Sequence, residues 1–163
     1  MMLQGRDIYG ATLGIVGLGR IGLAIAKRAK GFDMKVLYYD VIRRQDYEKE
    51  YGIEFTEMDQ LFKTADFVTI NTPLTKETTH LVDEKKLKSM KKTAIIVNNA
   101  RGPIVDEKAL YKALKEGWIA GAGLDVFEQE PTPLTNPLLK LDNVVVAPHI
   151  SSASYETRSR MAE

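Results

Sequence analysis

The chain has 163 residues, 44% of them hydrophobic, with 23 Lys and Arg against 22 Asp and Glu for a net charge of +1. That length and apolar content suit one folded unit and exclude a disordered chain, while the balanced charge leaves no footprint for nucleic acid or an anionic membrane. The absence of cysteine excludes disulfides and thiolate metal sites, and two histidines, His80 and His149, are too few for a histidine-built metal centre. No metal is expected. No apolar run nears the roughly 18 residues of a membrane span, and no signal peptide precedes the first strand. The expectation is a soluble, cytoplasmic protein without nucleic-acid or membrane partners.

Residues 1–11 read as a lead-in with a turn at Gln4-Gly5. A strand is predicted at 12–17, then a helix at 20–31 with an apolar stripe of Ile21, Ala24, Ile25 and Arg28–Ala29, closed by Gly31. Strands follow at 35–39 and 53–55, a helix at 57–64 capped by Thr56, and a strand at 66–70. A short helix at 84–90 starts from Asp83, and a strand is predicted at 94–98. The helix at 107–116 has Asp106 as its cap, Leu110, Ala113 and Leu114 inward, and Gly117 as its stop. Strands at 120–124 and 144–147 precede a last helix over 152–162. Alternating strands and helices with apolar strands imply a doubly wound, Rossmann-type parallel sheet with helices on both faces. Ligands of such sheets sit at the carboxyl ends of the strands. The last helix shows no stop signal and reads as cut short, so the chain reads as one part of a larger protein.

The run Leu13-Gly-Ile-Val-Gly17-Leu-Gly19-Arg20-Ile-Gly22 carries the chemistry of the amino-terminal half. An apolar strand enters Gly-x-Gly-x-x-Gly and a helix follows at once, the turn on which a dinucleotide pyrophosphate rests. Gly17 permits the tight turn, Gly19 lets the phosphates approach the backbone, and Gly22 lets the helix lie close on the strand. The helix N-terminus then offers N–H groups and partial positive charge to the anion. The second strand ends in Asp40, about 20 residues past the third glycine, where an acceptor for the adenosine ribose hydroxyls belongs. A carboxylate there favours NAD over a 2′-phosphorylated cofactor, although Arg43 and Arg44 follow and could hold that phosphate if the loop folds back, so use of NADP stays open.

Three later strand ends each bring one reactive side chain: Arg101 in Asn98-Asn-Ala-Arg-Gly102, a carboxylate in Asp125-Val-Phe-Glu-Gln-Glu-Pro131, and His149 in Pro148-His-Ile-Ser-Ser152. In a parallel sheet these loops converge on one edge beside the cofactor. An arginine, a carboxylate and a histidine there compose an acid–base site. Taken singly, each also fits a surface or structural role.

With Asn71-Thr-Pro-Leu-Thr75 added, these motifs resemble the D-isomer-specific 2-hydroxyacid dehydrogenases, over essentially the whole chain. The branch they look most like is that of glyoxylate/hydroxypyruvate reductases and phosphoglycerate dehydrogenases. The resemblance implies hydride transfer between NAD(P)H and a small 2-oxo acid such as glyoxylate or hydroxypyruvate. It implies that Arg101 binds the substrate carboxylate and carbonyl, that His149 exchanges the proton, and that Glu130 orients the imidazole and favours its charged form. Glu130 rather than Glu128 takes that role because the family places it before the proline; the carboxylate argues against formate dehydrogenases, which use an amide. Arg20 and Ile21 would lie over the pyrophosphate, Thr72 and Pro73 would line the cleft, and Asn99, Ala100 and Asp125 would touch the nicotinamide end. Ser151 and Ser152, also expected at the cofactor, stand where many members carry glycine, and Asn71 is unusual before Thr72-Pro73.

The resemblance further implies a homodimer and a second, substrate-binding domain outside this chain. The chain alone would then bind cofactor and be weakly active or inactive. The alternative is a non-catalytic NAD-sensing or interaction module, as in corepressors that resemble the family. A nucleotide-binding regulatory domain sharing only the fold is disfavoured by the Arg101, Glu130 and His149 set.

Overall fold

A computed structural model describes residues 5–163. The turn read at Gln4-Gly5 falls partly outside the described residues. Among them, seven strands form one sheet: β1 (Thr12–Val16), β2 (Lys35–Tyr39), β3 (Glu54–Phe55), β4 (Phe67–Ile70), β5 (Ile95–Asn98), β6 (Gly121–Leu124) and β7 (Val144–Val146). Every pair is parallel, in the order β3-β2-β1-β4-β5-β6-β7. The order reverses between β1 and β4, and the crevice at their carboxyl ends is where a doubly wound sheet takes its ligand. The helices are α1 (Arg20–Ala29), α2 (Gln45–Tyr51), α3 (Met58–Thr64), α4 (Glu84–Ser89), α5 (Glu107–Lys115) and α6 (Tyr155–Ala162). The strands expected from sequence differ from these by no more than one residue at either end.

Two caps act as read. Asp83 accepts the Lys86 N–H at 2.9 Å, and Asp106 accepts those of Lys108 and Ala109 at 3.0 Å. Gly117, at φ 69°, follows α5, and Leu110, Ala113 and Leu114 are buried. Four readings need correction. Gly31 does not close α1: it sits inside a 3₁₀ turn over Lys30–Phe32, and the chain reverses at Asp33, φ 51°. Thr56 does not cap α3, because the helix begins at Met58 and Glu57 takes the cap position, without a side-chain bond; the Thr56 N–H donates to the Tyr38 carbonyl at 2.9 Å. The last helix begins at Tyr155, where the Ser154 hydroxyl accepts the Thr157 N–H. Helix α2 was not expected: five of its seven residues are polar and none is fully buried, and only Tyr47 and Tyr51 touch the core, too short a stripe to read as a helix.

The stripe assigned to α1 is corrected in part: Ala29 is buried and Ile25 packs against the core as read, but Ile21 does not. Gly22, Ala26 and Ala29 face the sheet, whereas Ile21 is 65% exposed. Small side chains let this helix lie close on β1, and they carry too little hydrophobicity to stand out in a sequence. Helices do cover both faces, but unevenly. Tyr38, Ile15, Thr69, Val97, Gly123 and Val145 share one register across the sheet and point to the α1 side. Exposure along that row rises from 0% at Tyr38 and Ile15 to 37% at Val97 and 77% at Val145. The opposite face is buried against α3, α4 and α5 by Leu61, Phe62, Leu87, Leu110 and their neighbours. Among the described residues, no helix is long and apolar enough to cross a membrane.

Asp66 fastens the leading edge of the sheet. Its carboxylate accepts the Thr12 N–H at 3.0 Å and pairs with Lys91 Nζ at 2.9 Å. Burial pushes this carboxyl up, but the Thr12 N–H and the Lys91 bond and charge outweigh it and hold it below its ordinary range. A carboxyl lowered in the folded state stabilises above its unfolded value, about pH 4, and that stability is lost as pH falls through the folded value. Asp66→Asn should therefore cost about 1 kcal/mol at pH 7 and progressively less as pH falls below about 4, read as a difference in urea midpoint that shrinks on acidification.

Candidate active site

The turn after β1 is shaped by two close approaches. Gly17 has φ 93°, and a Cβ there would stand 2.9 Å from the Asn71 carbonyl group at the end of β4. A Cβ on Gly22 would overlap the Gly17 carbonyl oxygen. Gly19 differs: its φ of −73° suits any residue, and nothing lies within 4 Å of an added Cβ. The protein itself requires Gly17 and Gly22, while the bare backbone at Gly19 opens onto space in front of α1. That helix has no side-chain cap and no acid in its first turn, so its free N–H groups and dipole are available to an anion.

A cleft of about 510 Å³ lies beside this turn, bounded by Gly17, Gly19, Tyr39, Asp40, Val41, Met58, Asn71, Thr72, Pro73, Thr75, Thr78 and Leu81. Asp40 is placed as read from sequence. One of its oxygens accepts the Leu18 N–H at 2.7 Å and the other that of Ile42 at 3.1 Å, so the carboxylate is fixed in the cleft wall with lone pairs to spare. Arg43 and Arg44 do not fold back over the cleft. Arg43 is held by Glu48, and Arg44 by Asp46 and the Tyr47 ring. A second hollow continues past Thr72 and Pro73 to Ile21, Asn99, Ala100 and Arg101. Asn71 Oδ1, Thr72 Oγ1 and Asn99 Oδ1, on residues that line these hollows, are buried without a partner. Buried polar atoms are normally paired. A polar ligand running from Asp40 past Gly19 to Arg101 fits all three observations: the open turn, the fixed acceptor and the orphaned oxygens. A dinucleotide has that length and polarity.

Beyond Arg101 lies a third hollow, lined by Asp125, Phe127, Glu130, Pro131, Thr132, Pro148 and His149. His149 Nδ1 is 2.7 Å from Glu130 Oε2. A carboxylate only accepts, so Nδ1 carries the hydrogen and Nε2 is left as the nitrogen that exchanges a proton. The bond from His149 holds the Glu130 carboxyl below its ordinary range. Partial burial opposes it; the Phe127 N–H, at 3.0 Å, and the charges of His149 and Arg101 reinforce it. Arg101 is therefore near enough for its charge to act on Glu130, although it lines the neighbouring hollow. The three side chains meet on one edge of the sheet, as the strand ends predicted.

Asp125 does something sequence reasoning missed. Its two oxygens accept the N–H groups of Ile150 and Ser151, both at 2.8 Å, and its carbonyl accepts that of His149 at 2.8 Å. Burial raises this carboxyl, but those N–H bonds hold it below its ordinary range. The grip keeps His149 at φ 56°, a left-handed conformation that a non-glycine residue seldom takes. Asn98 braces Arg101 in the same way, accepting the Ala100 N–H at 3.1 Å and donating to the Arg101 carbonyl at 2.9 Å. A Cβ on Gly102 would overlap the Phe127 backbone, so these two loops are pressed together. An Asn at a strand end followed three residues on by Arg-Gly is the signal that could have marked this brace. Three residues expected at the cofactor do not line these hollows. Arg20 lies with Ala24, Ile25 and Arg28 in a shallow hollow on the outer side of α1, outside the cleft. Ser151 and Ser152 line none of the three hollows, because Ser151 is turned by its bond to Asp125 and the Ser152 carbonyl accepts the Ser154 N–H.

Residues 1–151 match the family of the D-isomer specific 2-hydroxyacid dehydrogenase, NAD binding domain. The chain belongs to this family. It is 66% identical over 163 residues to the glyoxylate reductase of Korarchaeum cryptofilum, covering 100% of this chain and 49% of that protein. A Thermus thermophilus protein of known structure matches with a TM-score of 0.92 at 47% identity, over 99% of this chain and 50% of its own. The D-isomer specific 2-hydroxyacid dehydrogenase of Lactobacillus delbrueckii, solved as an NAD complex, matches with a TM-score of 0.87 at 38% identity, over 94% of this chain and 50% of its own. The chain thus spans about half the length of the relatives it matches.

The glycines separate stability from binding. Gly19→Ala should leave the melting temperature unchanged and weaken NADH binding about tenfold or more, since the methyl occupies ligand space only. Gly22→Ala should lower stability by about 2 kcal/mol or more, because backbone must move to admit it. Thermal melts paired with NADH fluorescence titrations check both.

Proposed function

We propose that residues 1–163 form the cofactor-binding half of an enzyme that interconverts a small 2-oxo acid and its 2-hydroxy acid, with glyoxylate or hydroxypyruvate as substrate. The observation that carries this reading is the 2.7 Å contact of His149 with Glu130, at the end of a dinucleotide-shaped track that passes Arg101. The names of the relatives support the substrate class. NAD rather than NADP is the preferred cofactor, because Asp40 lines the adenosine end of the cleft and both arginines beyond it are engaged elsewhere.

When bound, the nicotinamide supplies the hydride in reduction and accepts it in oxidation. Gly17–Gly22 and the N-terminus of α1 hold the pyrophosphate, Asp40 the ribose hydroxyls, and Thr72 and Asn99 the nearer polar groups. The Arg101 guanidinium binds the substrate carboxylate through its planar fork and polarises the carbonyl. His149 gives a proton from Nε2 to the carbonyl oxygen as charge builds there, and takes it back in the reverse direction. Glu130 fixes the ring by its bond to Nδ1 and stabilises the imidazolium. Asp125 sets the backbone from which the ring projects. Each of these groups orients or polarises; none changes oxidation state.

Two measurements test this. The chain should bind NADH saturably and NADPH more weakly, and alone should reduce glyoxylate feebly if at all. In the protein at the length of its relatives, His149→Asn should lower kcat for glyoxylate reduction roughly 10²–10⁴-fold with NADH affinity retained, and Arg101→Lys should raise KM for the 2-oxo acid. NADH binding without turnover in that longer protein would overturn the enzyme reading in favour of an NAD-sensing module.

A further inference from the structure

The two arginines that follow Asp40 are the strongest feature that the proposed function leaves unexplained. A 2′-phosphate carries nearly two negative charges and is the natural partner of such a pair. Yet neither arginine lines the adenosine cleft. Arg43 grips Glu48 with two parallel bonds, Nε to Oε1 at 2.9 Å and Nη2 to Oε2 at 2.8 Å. Its guanidinium also lies 5.4 Å from the centre of the Phe55 ring. Glu48 is itself anchored from below, where the Tyr38 hydroxyl donates to Oε1 at 2.9 Å. Tyr38 is a fully buried residue of β2, and the same hydroxyl accepts the Arg44 N–H at 2.8 Å. Arg44 turns the same way, pairing with Asp46 at 3.3 Å and stacking 3.9 Å from the Tyr47 ring centre.

An ordinary exposed ion pair would yield readily to a bound phosphate. This one is bidentate, shares an aromatic face, and has its carboxylate fixed by a buried phenol, so the guanidinium has a defined resting place away from the cofactor. Helix α2 supplies Asp46 and Glu48, and it buries no residue of its own. Its carboxylates hold the arginines, while Tyr47 and Tyr51 lie half-buried against the core.

We propose that Glu48 is a specificity-determining residue: it keeps Arg43 off the adenosine cleft, and thereby works with Asp40 to exclude a 2′-phosphorylated dinucleotide. The inference rests on the reading that this cleft takes the adenosine half of the cofactor. Asp40 acts directly, by repelling the phosphate. Glu48 acts at one remove, by occupying the cation that would attract it.

The test is a set of NADH and NADPH titrations, followed by nicotinamide fluorescence, on the wild-type chain and on Glu48→Gln, Arg43→Ala and the double variant. Glu48→Gln keeps an acceptor for Tyr38 but loses the charge that holds Arg43. It should tighten NADPH binding about tenfold and change NADH binding less than twofold. Arg43→Ala alone should leave both affinities at wild-type values, since the engaged arginine contributes nothing. In the double variant the gain should disappear. Tyr38→Phe, which frees Glu48 without removing its charge, should give a smaller gain of about threefold for NADPH, and thermal melts confirm that each variant is folded. An unchanged NADPH affinity in both folded Glu48→Gln and Tyr38→Phe, or a gain that persists without Arg43, overturns this inference alone. Failure of the wild-type chain to bind NADH overturns the cofactor reading and this inference with it.

Discussion

Parallel pairing of all seven strands is the constraint from which the candidate site follows. Because the strands run one way, the loops after β1, β2, β4, β5, β6 and β7 all emerge at the same edge. Residues as far apart as Gly17, Asp40, Thr72, Arg101, Glu130 and His149 are gathered there without any contact between their own elements being needed. An antiparallel arrangement would have sent half of them to the opposite edge. The reversal of strand order between β1 and β4 then opens the crevice that Gly19 and Asn71 both line.

Pairing gathers the loops, but it does not aim their side chains. That is done by a small number of polar braces, two of them buried. Asp125 takes two N–H groups of the 149–151 loop and sets the backbone of His149. Asn98 closes the loop carrying Arg101 on itself. Glu130 joins the Phe127 N–H to the imidazole, so the same carboxylate fixes its own loop and the ring. Each brace satisfies backbone groups that a short loop would otherwise leave unpaired. The unpaired oxygens of Asn71, Thr72 and Asn99 are the complement of this pattern. Where the loops need bracing, polar atoms are paired within the chain; where a ligand would lie, they are left open.

The α1-side face of the sheet shows the same division between what is complete and what is open. It is sealed over β2 and β1 by Gly22, Ala26 and Ala29, then grows progressively exposed toward Val97 and Val145. An apolar row of this kind ordinarily has a partner surface. The chain spans about half the length of its relatives, and residues 1–151 match the NAD binding domain of their family.

The sequence by itself determined the order of elements, the phosphate turn and the loops that carry chemistry. These rest on local signals: apolar runs bounded by turns, glycines at fixed spacing, and caps such as Asp83 and Asp106 that act within three residues. Everything that depended on a distant partner was decided by tertiary structure. The buried face of α1 was hidden because Gly22 and Ala26 are chosen for closeness rather than hydrophobicity. Helix α2 was hidden because only two of its residues, Tyr47 and Tyr51, meet the core, and neither is fully buried. The directions of Arg43 and Arg44 were open because they hinge on Glu48, Asp46 and the hydroxyl of Tyr38. Asp125 read as a cofactor contact, yet its oxygens answer to N–H groups about 25 residues further on, a pairing that exists only once β6 and β7 lie side by side.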